Sequence, residues 1–335
     1  SQTLARLANM GSQLALRVAV IGGGCAGLAT AVRLTEAGIQ TSLFESSHQL
    51  GGRARGITWQ DTTLDNGQHI LLGAYAQTLQ LLRACGVDVE SALLRLPLKL
   101  EIPGKFSLAS QSSLPAPFHI LVGLLQAQGL SLRERLAAVR FMASLRLKRF
   151  SLPKDIALQQ LLANQPPRVI SMLWEPLCLA ALNTPITTAS AQAFLNVLRD
   201  SFADKKSDSD LLLPRADLST LIAEPAAKFI KSHGGKIYLN APVESLRTLE
   251  HGIELQLKGE WQDFSHVIIA TSPFRVAGLL ESLAGMDHIV SQCQSLQYQP
   301  IYTIYLQYSP EIALPQAMYG LTGKLGQWVF DRGQL

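Results

Sequence analysis

Residues 18–55 read VAVIGGGCAGLATAVRLTEAGIQTSLFESSHQLGGRAR, and the fold follows from them. Val18 to Ile21 form a short apolar run suited to a strand buried on both faces. The glycines at 22, 24 and 27 then open a helix. Gly22 permits the tight turn and Gly24 keeps side-chain atoms away from an approaching pyrophosphate. Gly27 lets the helix lie close to the strand, so phosphates face the amides and the positive end of the helix dipole, with Cys25 and Ala26 in its first turn. Leu28, Ala31, Val32 and Leu34 give that helix its apolar side, and Gly38 ends it. Thr41 to Phe44 make a second strand. Glu45 follows about 20 residues after the glycines, where a carboxylate accepts hydrogen bonds from an adenosine ribose and disfavours a 2'-phosphate. A Gly-rich turn alone would carry little weight, but strand, turn, helix and terminal acid in this spacing specify a dinucleotide site.

Composition is consistent with this. The chain has 335 residues, 47% of them hydrophobic, enough for a large core and two interleaved domains. A net charge of +4, without aromatic-interleaved basic patches, gives no sign of nucleic-acid binding. The four cysteines are scattered with no CxxC pair, which argues against a zinc site or disulfide framework and fits a reducing cytoplasm. The seven histidines show no metal-ligand spacing, so no metal is expected. There is no GxSxG elbow and no Walker loop. Residues 1–16 lack a signal-like apolar core, with Met10 a candidate native start, and no apolar run reaches the ~20 residues of a membrane span.

The second glycine pair sharpens the class. Gly51-Gly52-Arg53-Ala54-Arg55 completes a GxGxxG, E, GGR pattern that resembles the flavin-dependent amine oxidase and carotenoid desaturase superfamily. The resemblance implies FAD, with Gly51, Gly52 and Arg53 against its pyrophosphate and Arg55 as a second charged partner; arginine offers a planar, permanently charged donor fork there. LDNGQHILLGAY (64–75), LWEPLCLAALNTP (173–185), SAQAFLNVLRDS (190–201) and SDLLLPRADLS (209–219) resemble hydroxysqualene dehydroxylases, the squalene-associated FAD-dependent desaturases. That resemblance runs from about residue 17 to the end and implies reduction of hydroxysqualene to squalene in a bacterial hopanoid route. It implies a lipophilic isoprenoid substrate and leaves the electron donor unnamed. The superfamily usually closes with a G-D segment that returns to the flavin; the chain ends at Leu335 without one. A shortened product lacking part of the flavin cradle, with FAD affinity and activity in question, is therefore expected.

The expected fold class is α/β, a Rossmann-like FAD-binding domain with a second, largely helical substrate domain of amine oxidase/desaturase type. Residues 17–92 form the first part of the FAD-binding domain, 93–218 the substrate domain, 219–285 the second FAD-binding part and 286–335 a return to the substrate-domain sheet. The pattern predicts a helix over 71–85, helices through most of 118–202, an exposed mobile loop at 203–210, and strands at 236–240, 252–258 and 266–271. Pro242-Val243 and Ala270-Thr271-Ser272-Pro273 resemble later nucleotide-domain segments, with the backbone of Val243 at the adenine edge. In 131–150, Leu132, Leu136, Val139, Ala143, Leu147 and Phe150 form one helical stripe. Arg135 and Arg146 flank one margin, Arg133 and Arg140 the other. Such a stripe suits a membrane-surface contact through 118–150, at the inner face of the cytoplasmic membrane. Phe141 and Leu145 on the opposite side suit the other reading, a core-packed helix with a solvated basic face.

Replacing an allylic hydroxyl by hydrogen needs protonation of the leaving oxygen, a dry apolar tunnel and a hydride, which reduced flavin supplies. Candidate acids are Asp65, His69 and Glu175, each with a plain structural alternative: a turn for the first two, a helix start for Glu175. Trp174 and Phe194 either bound the cavity or belong to the core. Arg199, Asp210, Arg215 and Asp217 read as an ion-pair network. Two further functions stay open: a desaturase that runs electrons the other way, and a flavin-free isoprenoid carrier of the same fold.

Overall fold

The computed structural model describes residues 16–202, 204–309 and 311–335. The chain divides into two compact units. One holds the described residues up to Gly67, with 77–92 and 216–298; the other holds 68–76, 93–215 and 299–335.

The first unit is built on a four-stranded parallel sheet in the order Lys236–Tyr238, Gln40–Phe44, Arg17–Ile21, His266–Ile269. Alternate residues of the central strand point to opposite faces, and both faces are buried. Val18 and Val20 pack with Leu28, Val32 and Ile230, from the helices Cys25–Glu36 and Glu224–Ser232. Ala19 and Ile21 pack with Leu246, Leu255 and Phe264. Those three come from an antiparallel meander, Val243–Leu249, Gly252–Leu257 and Glu260–Phe264. Two of these three strands escape the sequence pattern because most of their side chains are exposed and only one buried apolar residue marks each. A hairpin, Gly56–Trp59 with Thr62–Asp65, ends in a turn at Asn66-Gly67.

The second unit has a single core. Helices Phe118–Leu125, Leu132–Leu147 and Ala191–Phe202, and a helical run over 167–182, pack with short antiparallel strands at Leu71–Leu72, Leu93–Leu96, Lys99–Ile102, Phe106–Ala109 and Leu211–Pro214. The helix expected over 71–85 is shorter, Ala76–Ala84. Leu71 and Leu72 instead pair with Leu212 and Leu211, and Gly73 lies so close to the Ser207 carbonyl that no side chain fits. The segment expected to be a mobile loop is anchored over its described residues, 204–210. Lys206–Ser209 forms a helical turn, Ser209 Oγ lies 3.1 Å from His119 Nε2, Lys206 Nζ donates to the Ser112 carbonyl at 2.6 Å, and Asp210 pairs with Arg95 at 3.0 Å. Residue 203 is outside the described residues.

Candidate functional site

The first unit brings the two glycine motifs together. Gly51 N donates to the Gly23 carbonyl at 2.8 Å, and Gly24 and Gly51 form an isolated parallel bridge. Gly22 turns at φ +107, where an L side chain is strained, and a Cβ there would sit 2.8 Å from the Ala270 carbonyl oxygen. A Cβ on Gly27 would run into the Gly22 carbonyl, so only glycine lets this helix start so close under the turn. Gly24 is different. Its added Cβ would meet nothing nearer than the Gly52 Cα at 4.0 Å, so the fold leaves that position open. Leu28 N makes the first intrahelical bond, to the Gly24 carbonyl, which leaves the amides at 25, 26 and 27 for a ligand at the helix mouth. Partial burial raises the Cys25 thiol above its ordinary range, against the opposing pull of its own backbone amide and the Arg53 charge.

Glu45 ends the second strand and its carboxylate is fixed on both oxygens. Oε2 accepts from Gly23 N at 2.6 Å and Oε1 from Ser47 N at 2.8 Å. Oε1 also accepts from Ser46 Oγ at 3.2 Å, so Oε2 is the oxygen that keeps lone-pair capacity for a ribose hydroxyl. Arg53 is exposed, whereas Arg55 is half-buried with Nη1 donating to Ser47 Oγ at 3.3 Å. Its Nε is buried with no partner, as is Thr271 Oγ1, and the Thr271 backbone lies against Gly22. Two orphaned buried polar atoms beside a glycine cradle are what an anionic, hydroxyl-rich ligand satisfies. Val243 begins the first strand of the meander, and the neighbouring Ala241 N donates to the Glu45 carbonyl, tying the segment before it to the ribose-side acid. The cradle therefore fits FAD: Gly22, Gly24, Gly51, Gly52 and the amides of Cys25, Ala26 and Gly27 can hold the pyrophosphate, Arg53 and Arg55 its charge, and Glu45 the ribose. The sequence pattern did not single out Gly23 or Ser47, and marked Thr271 only as part of the segment Ala270-Thr271-Ser272-Pro273. Their signal is weak, since each acts through a backbone group or a hydroxyl whose neighbours are set by the fold.

The other candidates divide between the units. Asp65 is buried in the first unit, where Oδ1 accepts from Leu218 N at 2.8 Å. His69 lies in the second unit and is half-buried. Glu175, also there, is half-buried and does not start a helix, because the helical run is continuous through a π-helical turn at Ile170–Trp174. Glu175 is close enough to Cys178 that burial, with its charge as the lesser cause, pushes that thiol up to about 11. Trp174 and Leu177, on either side of it in sequence, line a small cavity of about 20 Å³, room for about one water, with Leu100, Ile120, Leu124 and Met142. Every side chain that lines this cavity is apolar. Phe194 belongs to the buried core and does not line the cavity. The expected ion-pair network does not form. Arg199 pairs with Asp200, Asp210 with Arg95, and Asp217 accepts from Ser219 N and Thr220 N as a helix-start acid.

A doubly covered parallel sheet with a glycine cradle, a ribose-side carboxylate and paired arginines defines a flavin-dependent oxidoreductase. Residues 25–332 match the model of the flavin containing amine oxidoreductase family, and the chain belongs to that family, with FAD as its cofactor. It is 25% identical over 326 residues to a hydroxysqualene dehydroxylase of Sinorhizobium fredii and 26% over 331 residues to one of Rhodopseudomonas palustris. Each alignment covers 93% of this chain and 73% of the relative. A zeta-carotene desaturase of Zea mays is 24% identical over 240 residues, covering 67% of this chain and 42% of that protein. Among solved structures, an oxidoreductase from Methanosarcina mazei superposes with a TM-score of 0.63 at 18% identity, over 84% of this chain and 66% of the other. A putrescine oxidase triple mutant gives 0.56 at 18%, over 79% and 59%. The chain thus spans about two thirds or less of the length of these solved structures, and their likeness concerns the fold. No helix among the described residues is long and apolar enough to cross a membrane.

Proposed function

We propose that the protein catalyses the reductive dehydroxylation of hydroxysqualene to squalene. The observation that carries this reading is the extent of likeness: relatives named hydroxysqualene dehydroxylase align over 93% of the chain, whereas the zeta-carotene desaturase of Zea mays aligns over 67%. In the reaction the allylic C–O bond breaks, a C–H bond forms, and one proton and one hydride are consumed as water leaves. Bound FAD in its reduced form supplies the hydride. The chain's part is to exclude water around the apolar tail and to deliver the proton.

Of the three candidate acids, Glu175 suits the proton best. It is half-buried, follows the cavity-lining Trp174 in sequence, and has no hydrogen-bond partner among the described residues. Asp65 already accepts from the Leu218 amide, which assigns it to holding the chain. The test is an anaerobic turnover of flavin-loaded, pre-reduced protein with hydroxysqualene, analysed by mass spectrometry. Squalene is expected, with Glu175→Gln slowing kcat by about 10²–10⁴-fold at unchanged flavin content. A more unsaturated polyene made by the oxidised protein would replace this reading with the desaturase one. Unchanged substrate with tight binding would favour a carrier.

A further inference from the structure

The helix Leu132–Leu147 has an outer face that the reaction does not use. Its inner side is anchored: Ala138, Met142 and Leu145 are buried in the core of the second unit, and Ser131 and Glu134 close a capping box at its start. On a helix turning 100° per residue, Leu132, Leu136, Ala143 and Leu147 lie within one narrow arc on the opposite side. Leu132 is 66% exposed, Leu136 44% and Leu147 86%, and Phe118 at the start of the helix packed against it is 56% exposed. Single exposed leucines are ordinary, but an aligned row of them on one helix calls for a partner.

The margins of the row are cationic. Arg133 and Arg140 lie along one edge, Arg146 along the other, and Lys148 and Arg149 follow at the C-terminal end, all exposed. No ion pair among the described residues engages Arg133, Arg140, Lys148 or Arg149. The one acid on the helix, Glu134, is committed to the Ser131 cap, which holds its carboxyl below the usual range. Arg135 is not part of this rim, because it donates to the Leu125 and Leu130 carbonyls at 3.1 and 3.0 Å. A leucine row with exposed cations along its margins, of which Arg133, Arg140, Lys148 and Arg149 join no ion pair among the described residues, matches the boundary between acyl chains and anionic head groups.

We infer that the outer face of the helices Phe118–Leu125 and Leu132–Leu147 docks on an anionic lipid bilayer, with the leucines below the head groups and the arginines among them. The docking does not depend on which reaction the flavin site performs. It also has a geometric consequence. Ile120, Leu124 and Met142, from the inner sides of these two helices, line the apolar cavity, so the wall of that cavity is the element that meets lipid.

Sedimentation of the flavin-loaded protein with phosphatidylcholine vesicles, with and without about one third phosphatidylglycerol, tests this. Binding is expected to the anionic vesicles only and to fall at high salt. Arg133→Gln and Arg140→Gln should each lower partitioning by about fivefold. Leu136→Ser and Leu147→Ser should each lower it by about tenfold. Circular dichroism and retained flavin absorbance should be unchanged in all four variants. Equal binding to neutral vesicles, or none to either, would overturn the inference. So would a concentration-dependent dimer that Leu147→Ser dissolves, since the face would then belong to a second copy of the chain.

Discussion

At the scale of single residues, the glycines of the first turn are not equivalent. Gly27 serves the fold, because an added methyl would collide with the Gly22 carbonyl. Gly24 serves the ligand, because its surroundings would accept a methyl and only an approaching pyrophosphate would not. Gly27→Ala should therefore cost about 1–3 kcal/mol or more of stability, read as a lowered Tm of the apoprotein. Gly24→Ala should leave that Tm almost unchanged while weakening FAD by roughly tenfold or more, measured by flavin fluorescence titration. If the two variants lose stability and flavin in the same proportion, the division of labour is wrong. The spacing of these glycines and of Glu45 is legible in the sequence because it follows from local geometry. The orphaned Nε of Arg55 and hydroxyl of Thr271 were not, because burial is a property of the folded surroundings; Thr271 lies against Gly22, more than 200 residues away in the chain.

Among elements, the helix Phe118–Leu125 carries a fully buried histidine, His119, whose Nε2 meets Ser209 and whose Nδ1 has no partner. Burial is the main cause that pushes its pKa below the ordinary histidine value, with Asp210 pulling the other way. Below about pH 6.5 the unfolded chain takes up a proton that the folded one resists, so stability present at neutral pH is lost as the pH falls. Acid unfolding of the wild type should steepen below that point. His119→Gln, which keeps a side-chain hydrogen bond without the titration, should flatten the curve below about pH 6.5; superimposable curves would rule this out.

The segment IYTIYLQY at 301–308 poses a different problem. Tyr302, Ile304, Leu306 and Tyr308 alternate along it and are 87%, 76%, 70% and 64% exposed, and the segment joins no sheet among the described residues. Apolar, uncharged and rich in β-formers, it is an aggregation template. Ile304→Lys should slow aggregation on mild heating, followed by light scattering, without shifting the Tm. An unchanged aggregation rate would clear the segment.

For the whole molecule, the separate cores matter most. The parallel-sheet unit buries Val20, Leu28, Val32 and Ile230 on one side of its sheet and Leu255 and Phe264 on the other, while the second unit has its own core around Trp174, Phe194 and Leu198. All the FAD-cradle residues lie in the first unit. Calorimetry should accordingly show two transitions, and FAD at about 100 times its Kd should stabilise only one of them, by about 2.7 kcal/mol. A single transition that moves as a whole with FAD would show that the units unfold together.

Local sequence set the dinucleotide unit, since a buried strand, a glycine turn, a helix and a terminal acid are local features whose spacing fixes their geometry. It also determined the two-sided character of the helix over 132–147, which is a matter of angular period. Only the tertiary structure decided which side of that helix is inward, because burial depends on what packs against it. Only tertiary structure, too, turned Arg135 into a carbonyl cap. The same holds for the polar segment 204–210, held in place by Ser112, His119 and Arg95. Each of these outcomes rests on contacts between separate elements of the fold, and no local pattern records them.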